Sequence, residues 1–267
     1  MISLAGLGQT TYYVGSTGDD GNDGSIGSPW LTLGKACRTV TTSGDIIYVN
    51  AGTITAERDT LSVGVSITGA GATSIIQGPN ENWMLLVASA FEGTDGSQSI
   101  SNVKFLGYDG VDTSTVAIYV TARSNVSIHD CHFQTFKQGG VRYKGSLVSD
   151  IAPTIYSTGN TFYNNFLTDC SGYYGTNGYG SLAFGGQEDM EIYNNSITQT
   201  AKGNQNGYLM KYIDKGHNKN IKIYDNYLTR KVNNVTGHYE IAIELWNSKG
   251  GIEIYDNEIY GGTIDFG

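Results

Sequence analysis

Three eight-residue segments of this chain superimpose without gaps: Met190–Ile197 (MEIYNNSI), Ile221–Leu228 (IKIYDNYL) and Ile252–Ile259 (IEIYDNEI). A fourth, Val126–Phe133 (VSIHDCHF), fits the same template, and Val103 to Asp109 and Ile155 to Phe162 read as degenerate copies. Asn195, Asn226 and Asn257 fall 31 residues apart; Cys131 takes the same slot earlier, and Asn160 is expected to take it as well. Each copy reads apolar, polar, apolar, then a turn and another apolar residue, the period-2 signature of a strand with one buried face. Shorter strands precede several copies, at Ala117 to Val120, Ser181 to Phe184 and Ile241 to Leu245. A unit of two or three such strands cannot bury its own apolar face and must stack on its neighbours. Because each unit returns in the same direction, the stacking is parallel.

Columns of the alignment test this reading. Glu191, Lys222 and Glu253 share one outward column, so charge sign alternates between adjacent coils about 4.8 Å apart, which is favourable. Tyr193, Tyr224 and Tyr255 share another and predict an aromatic stack. The asparagine column suits a left-handed bend with amide hydrogen bonds running from coil to coil. Leucine-rich repeats are excluded by the missing leucine spacing, and a propeller needs four strands in each repeat of about 40 residues. The fold class is therefore all-β, a parallel β-solenoid of one chain.

Residues 12 to 54 depart from the repeat. Tyr12 to Gly18 reads as a strand leading into a Gly/Asp loop, Asp19 to Gly27. Ser28 and Pro29 read as the N-cap and first position of a short amphipathic helix carrying Leu31, Leu33, Ala36, Cys37 and Val40. Gly44 and Asp45 end it before the strand Ile46–Val49. A solenoid end is apolar and open, and this helix is placed to cover it. The division expected is a leader or signal remnant over 1–11, a cap over 12–43 and coils over 44–267. Gly261 to Gly267 begins a strand and stops. That stop predicts either a truncated solenoid with further coils or an end covered by oligomerisation.

The run YYVGSTGDDGNDGSIGSPWLTLGKA, followed by GDIIYVNAGTI, resembles the N-terminal capping region of the pectate-lyase-like right-handed parallel β-helix superfamily, and the later coils resemble that family's repeats. The resemblance covers roughly residues 12 to 267 and is more specific for fold than for function. It implies right-handed coils, in keeping with the crossover rule. It also implies action on a polysaccharide, and with it an extracellular, cell-surface or phage location.

A formal net charge of −9 and a pI near 4.8 argue against nucleic acid or an anionic membrane as the main partner. No apolar run reaches the roughly 18 residues of a membrane-spanning helix. Three cysteines, Cys37, Cys131 and Cys170, imply no disulfide framework.

Against that acidity, residues 211 to 231 hold Lys211, Lys215, Lys219, Lys222, Arg230 and Lys231, six of the chain's 16 basic residues. Such a concentration suits an anionic sugar chain; the competing reading is a solvated turn plus one rung of the charge column. β-Elimination at a uronate needs the carboxylate neutralised and a base for the C5 proton. The family resemblance implies calcium or arginine for the first task and lysine or arginine for the second. Lys211 or Lys215 is then the base, and Arg230 or a cation binds the substrate carboxylate. Glu244, outward if Ile241, Ile243 and Leu245 face the core, orients sugar hydroxyls or holds that cation. Tyr208, Tyr239 and Trp246 supply stacking surfaces, with His238 and Glu240 alongside. The leading expectation is thus a lyase on a uronate-containing glycan. The alternatives are a glycoside hydrolase, for which Glu240 with Glu244 or Asp214 is the nominated carboxylate pair, and a non-catalytic glycan-binding, tail or adhesin solenoid.

Calcium is the one cofactor the residues suggest, at the stacked Asp225 and Asp256 with Asp130 in the same column, or in the loop carrying Asp19, Asp20, Asn22 and Asp23. That loop lacks the glutamate of an EF-hand and reads better as a turn of the cap. His129 and His132 are split between strand faces, which disfavours zinc. Tyr173 to Tyr179, with Asn204 to Tyr208, has the Tyr, Gly and Asn content of sugar-lining loops and of ordinary solenoid turns.

Overall fold

The computed structural model describes residues 8–78, 83–107, 116–146, 151–171, 180–200, 208–213, 216–231 and 241–267. Among them, three parallel sheets of nine, eight and eight strands run side by side, each coil adding one strand to each, and a two-stranded sheet pairs Ser157–Thr158 with Gln187–Glu188. The first sheet runs from Thr11–Val14 to Glu253–Tyr255, the second from Gly52–Thr55 to Glu258–Tyr260, and the third from Asp59–Thr60 to Thr263–Phe266. One coil therefore takes one strand from each sheet, as in Glu191–Tyr193, Ser196–Gln199 and Tyr208–Tyr212. This is a parallel β-helix, as the repeat predicts, and its right hand is the one that the resemblance implies.

The corner between the first and second sheets shows how sequence sets the coil. Asp130, Asn164, Asn194, Asp225 and Asp256 all take the left-handed conformation, with φ between 52° and 58°. Asn and Asp tolerate it. The residue after each points inward: Cys131, Asn165, Asn195, Asn226 and Asn257. The bend and the ladder are thus adjacent columns, where the sequence suggested one. The ladder slot before Asn195 belongs to Asn165; Asn160 instead shares the column of Val126 and Met190, three residues before the stacked ring. Asn195 Nδ2 donates to Asn226 Oδ1 at 2.9 Å, and Asn226 Nδ2 to Asn257 Oδ1 at 2.9 Å. Each buried amide is satisfied by the next coil, as a polar group sealed from water must be.

Between these corners the inward positions stack by residue type. Ile67, Ile100, Ile128, Phe162, Ile192 and Ile223 form one buried column of the first sheet. On the outer side, the rings of His129, Tyr163, Tyr193, Tyr224 and Tyr255 stack at 4.7, 4.9, 5.0 and 5.0 Å between successive centroids. Glu191, Lys222 and Glu253 are register partners, and Lys222 pairs with Glu191 at 3.5 Å.

The cap helix spans Leu33–Thr39, and Thr32 is its N-cap, accepting from Lys35 N at 3.2 Å. Ser28 and Pro29 precede it in a turn. The start shifts because the backbone of Trp30 is engaged by the first strand: its N–H donates to Tyr13 O and its carbonyl accepts from Gly15 N, both at 2.9 Å. Leu33, Ala36 and Cys37 are buried against the first coil, each large aliphatic contributing about 1.5–3 kcal/mol of transfer free energy. Gly34 permits this close approach, since a Cβ there would lie 2.6 Å from Asp59 Oδ1.

Candidate functional site

The third sheet carries a bend at the start of its strands, so two consecutive residues face the core. In Ile241–Leu245 these are Ala242 and Ile243, with Leu245 following; Ile241 is left on the outer side, against the expectation from simple alternation. Glu244 still falls on the outer face. Its register partners are Lys211 one coil before and Asp265 one coil after. Three charges, plus, minus, minus, thus stand in one row at the strand spacing.

Lys211 Nζ forms an ion pair with Glu244 Oε1, the lysine side chain being 20% exposed and the glutamate 2%. Glu244 is therefore outward, as the sequence predicts, and yet buried. The Lys211 ammonium also lies 4.1 Å from the centroid of the Tyr208 ring and 5.8 Å from that of Trp246. The Tyr208 hydroxyl bonds to Glu244; burial, and then the charge of Glu244, push it up to about 12. Trp246 Nε1 donates to Asp265 Oδ2 at 3.2 Å, and the indole is 43% exposed. Arg230 reaches the cluster from the second sheet. It is 4% exposed, its Nη1 donates to Ile241 O at 3.4 Å, and its charge opposes the upward shift of Tyr208.

The structure thus gathers Tyr208, Lys211, Arg230, Glu244 and Trp246 on one face. Lys215, His238, Tyr239 and Glu240 lie outside the described residues, as do Asp214 and Tyr173 to Tyr179. The basic run is dispersed: Lys219 pairs with Glu188 and Lys222 with Glu191, both on the first sheet's side of the coil. Asp265 was missed by sequence reasoning. Ile264-Asp265-Phe266 repeats the apolar, acid, apolar pattern of Ile243-Glu244-Leu245, and that alignment would have found it.

Among the described residues, no group of three or more His, Cys, Asp or Glu side chains could hold a metal ion. In the loop of the cap, Asp19 Oδ1 accepts from Gly21 N at 2.7 Å and Asp23 Oδ1 from Ser25 N at 3.0 Å, so both carboxylates serve the loop's own backbone. His129 bonds to Asp130 at 2.7 Å and stacks on Tyr163, while His132 stacks on Phe166. A cleft of about 410 Å³ lies elsewhere, on the first sheet, lined by Asp189, Glu191, Asn220, Lys222, Gly251 and Glu253. It is the open lane along the alternating charges. No aromatic ring lines it, whereas Tyr208 and Trp246 stand beside Lys211 and Glu244, so the third-sheet cluster is the better candidate.

No family model matches the sequence, and no curated protein does. Solved structures do match the fold. One is a tailspike protein, gp49 of Acinetobacter baumannii bacteriophage Fri1, a capsular polysaccharide depolymerase; it is 11% identical over 83% of this chain and 41% of its own, with a TM-score of 0.60. Another is a GH136 lacto-N-biosidase from Eubacterium ramulus, 13% identical over 96% of this chain and 57% of its own, also at 0.60. The chain thus spans about half the length of these structures. With its three parallel sheets, inner asparagine ladder and capping helix, it has the right-handed parallel β-helix fold.

Proposed function

We propose that this chain acts on a polysaccharide and hydrolyses it on the outer face of the third sheet, with Glu244 and Asp265 as the carboxylate pair. The observation that carries the reading is the row Lys211, Glu244, Asp265 beside two aromatic rings. Register partners on adjacent parallel strands stand about 4.8 Å apart. That spacing suits the short separation, about 5–5.5 Å, of hydrolases that retain anomeric configuration. Glu244, flanked by the Lys211 ammonium and the Tyr208 hydroxyl, carries the charge that meets the anomeric carbon. Asp265 gives its proton to the glycosidic oxygen as that bond breaks, then takes one from the water that releases the sugar. Trp246 offers its exposed face to the sugar's C–H surface. The structural matches to a lacto-N-biosidase and a capsular depolymerase support a glycan as the substrate.

The engagement of Lys211 by Glu244 favours hydrolysis over elimination through Lys211, because that amine is already occupied. The proposed substrate fits a location outside the cell or on a phage particle. A glycan panel tests the reading. New reducing ends without ultraviolet absorbance, lost in Glu244→Gln and Asp265→Asn, are expected. Absorbance of an unsaturated uronate would establish a lyase instead, and binding without either product a non-catalytic solenoid.

A further inference from the structure

The outer face of the third sheet continues from this site toward the N-terminus, and there it changes character. The Arg58 guanidinium lies 4.4 Å over the ring of Trp83. Trp83 meets Tyr119 edge-on at 5.9 Å. Tyr119 in turn takes Lys144 Nζ over its ring at 4.6 Å, with the Arg142 guanidinium 5.8 Å from the same centroid. Arg142 Nη1 also donates to the Tyr119 hydroxyl at 3.3 Å. Three cations thus converge on two rings within a few coils of a chain whose net charge is −9. Trp83 Nε1 and Thr121 Oγ1, on the same face, are buried and find no hydrogen-bond partner among the described residues.

The register ties this cluster to the candidate site. Tyr119, Arg142, Ala183, Lys211 and Glu244 follow one another in a single row of partners, and Thr121 is partnered with Lys144 in the parallel row. Arg142 is three coil steps from Glu244, about 14 Å along the axis. The intervening strand puts only small residues, Gly180, Ala183 and Gly185, on that side.

Indole N–H, guanidinium and ammonium groups donate hydrogen bonds and accept none. A surface made mostly of donors recognises acceptors, and one made of cations recognises anions. The two rings add a platform for an apolar C–H face. A sugar ring bearing a carboxylate or a sulfate has both properties. We infer that Arg58, Trp83, Tyr119, Arg142 and Lys144 form a remote subsite for an acidic residue of the glycan. That glycan lies along the helix axis and is cut at Glu244 and Asp265. The inference rests on the hydrolase reading for its second half only.

Affinity electrophoresis of the full chain tests it, with polygalacturonate, dextran sulfate and uncharged dextran as probes. Retardation by a polyanion and not by dextran is expected, and the two polyanions distinguish a carboxylate from a sulfate subsite. The R142A/K144A double variant should lose at least tenfold in affinity, while the first-sheet variant Lys222→Ala keeps it. If the double variant melts early, Lys144→Gln, which removes the charge and keeps most of the side chain's length, carries the test with a smaller loss. Equal retardation by dextran, wild-type affinity in the folded variants, or an equal loss in Lys222→Ala would overturn the subsite. Cleavage restricted to neutral glycans would also overturn it and leave the hydrolase reading standing. Polyanion binding with cleavage untouched by Glu244→Gln would do the reverse.

Discussion

Lys211 and Glu244 are direct register partners on adjacent coils and form an ion pair on an outer sheet face, yet the glutamate is 2% exposed. An ion pair so placed is sensitive to the loss of one member. Glu244→Ala leaves a partly buried ammonium beside Tyr208 and should cost about 3 kcal/mol. Lys211→Ala strands the carboxylate and should cost a similar amount. The double variant should cost clearly less than the sum, and denaturant melts of the four proteins measure the coupling.

Catalysis separates from stability through the isosteric changes. Glu244→Gln and Asp265→Asn keep the shape of the site and remove a carboxylate. Each should lower kcat by about 10² to 10⁴ on a verified substrate. Their far-ultraviolet spectra should match the wild type. Proton NMR of the first product formed should show the anomeric configuration of the substrate.

The asparagine ladder gives a third expectation. Asn226 is 1% exposed; its Nδ2 donates to Ile192 O and Asn257 Oδ1, and its Oδ1 accepts from Asn195 N. Asn226→Ala removes these bonds and leaves buried partners unsatisfied, at a cost of about 3 kcal/mol. Asn194→Ala, at the exposed left-handed corner, should cost about 1 kcal/mol through backbone strain. Thermal melts that reverse this order would contradict the assignment of bend and ladder to separate columns.

Asp59 predicts a pH dependence at the cap. Burial raises its carboxyl above the usual value, against the backbone bond from Glu57 and the nearby Arg38. The folded state then holds the proton more tightly than the unfolded chain. Its contribution is complete below the unfolded value near ~4 and is lost as pH rises through the folded value. Asp59→Asn should flatten the pH profile of the thermal midpoint over that window, and an unchanged profile would show that Asp59 does not set it.

The residues that were legible in the sequence are those whose neighbours repeat. The tyrosine, charge and asparagine columns each recur at one spacing, so tyrosine stack and charge row follow from alignment alone. Asn165 escaped because its coil breaks the spacing: a longer connection before Thr161 pulls the motif out of phase, and Asn160 then mimics it. Thr32 escaped because Ser28-Pro29 satisfies the local rule for a helix start, while the ladder between Trp30 and the first strand overrides it. Lys211, Glu244, Tyr208 and Trp246 were legible as neighbours. The burial of Glu244 was not, since alternation gives direction and says nothing of what lies above the sheet.

The asparagine ladder also has a mechanical meaning. Asn195, Asn226 and Asn257 are 31 residues apart, and each amide is bonded to the coil on either side of it or to the one before. Within this ladder, a load applied at the last strand is therefore passed from one rung to the next, each asparagine bonding only to its neighbours. Each rung that gives way frees one coil of chain, about 110 Å when fully drawn out. The molecule is in this sense a ratchet of near-equal teeth, and its yield under tension is periodic with the period of its own repeat.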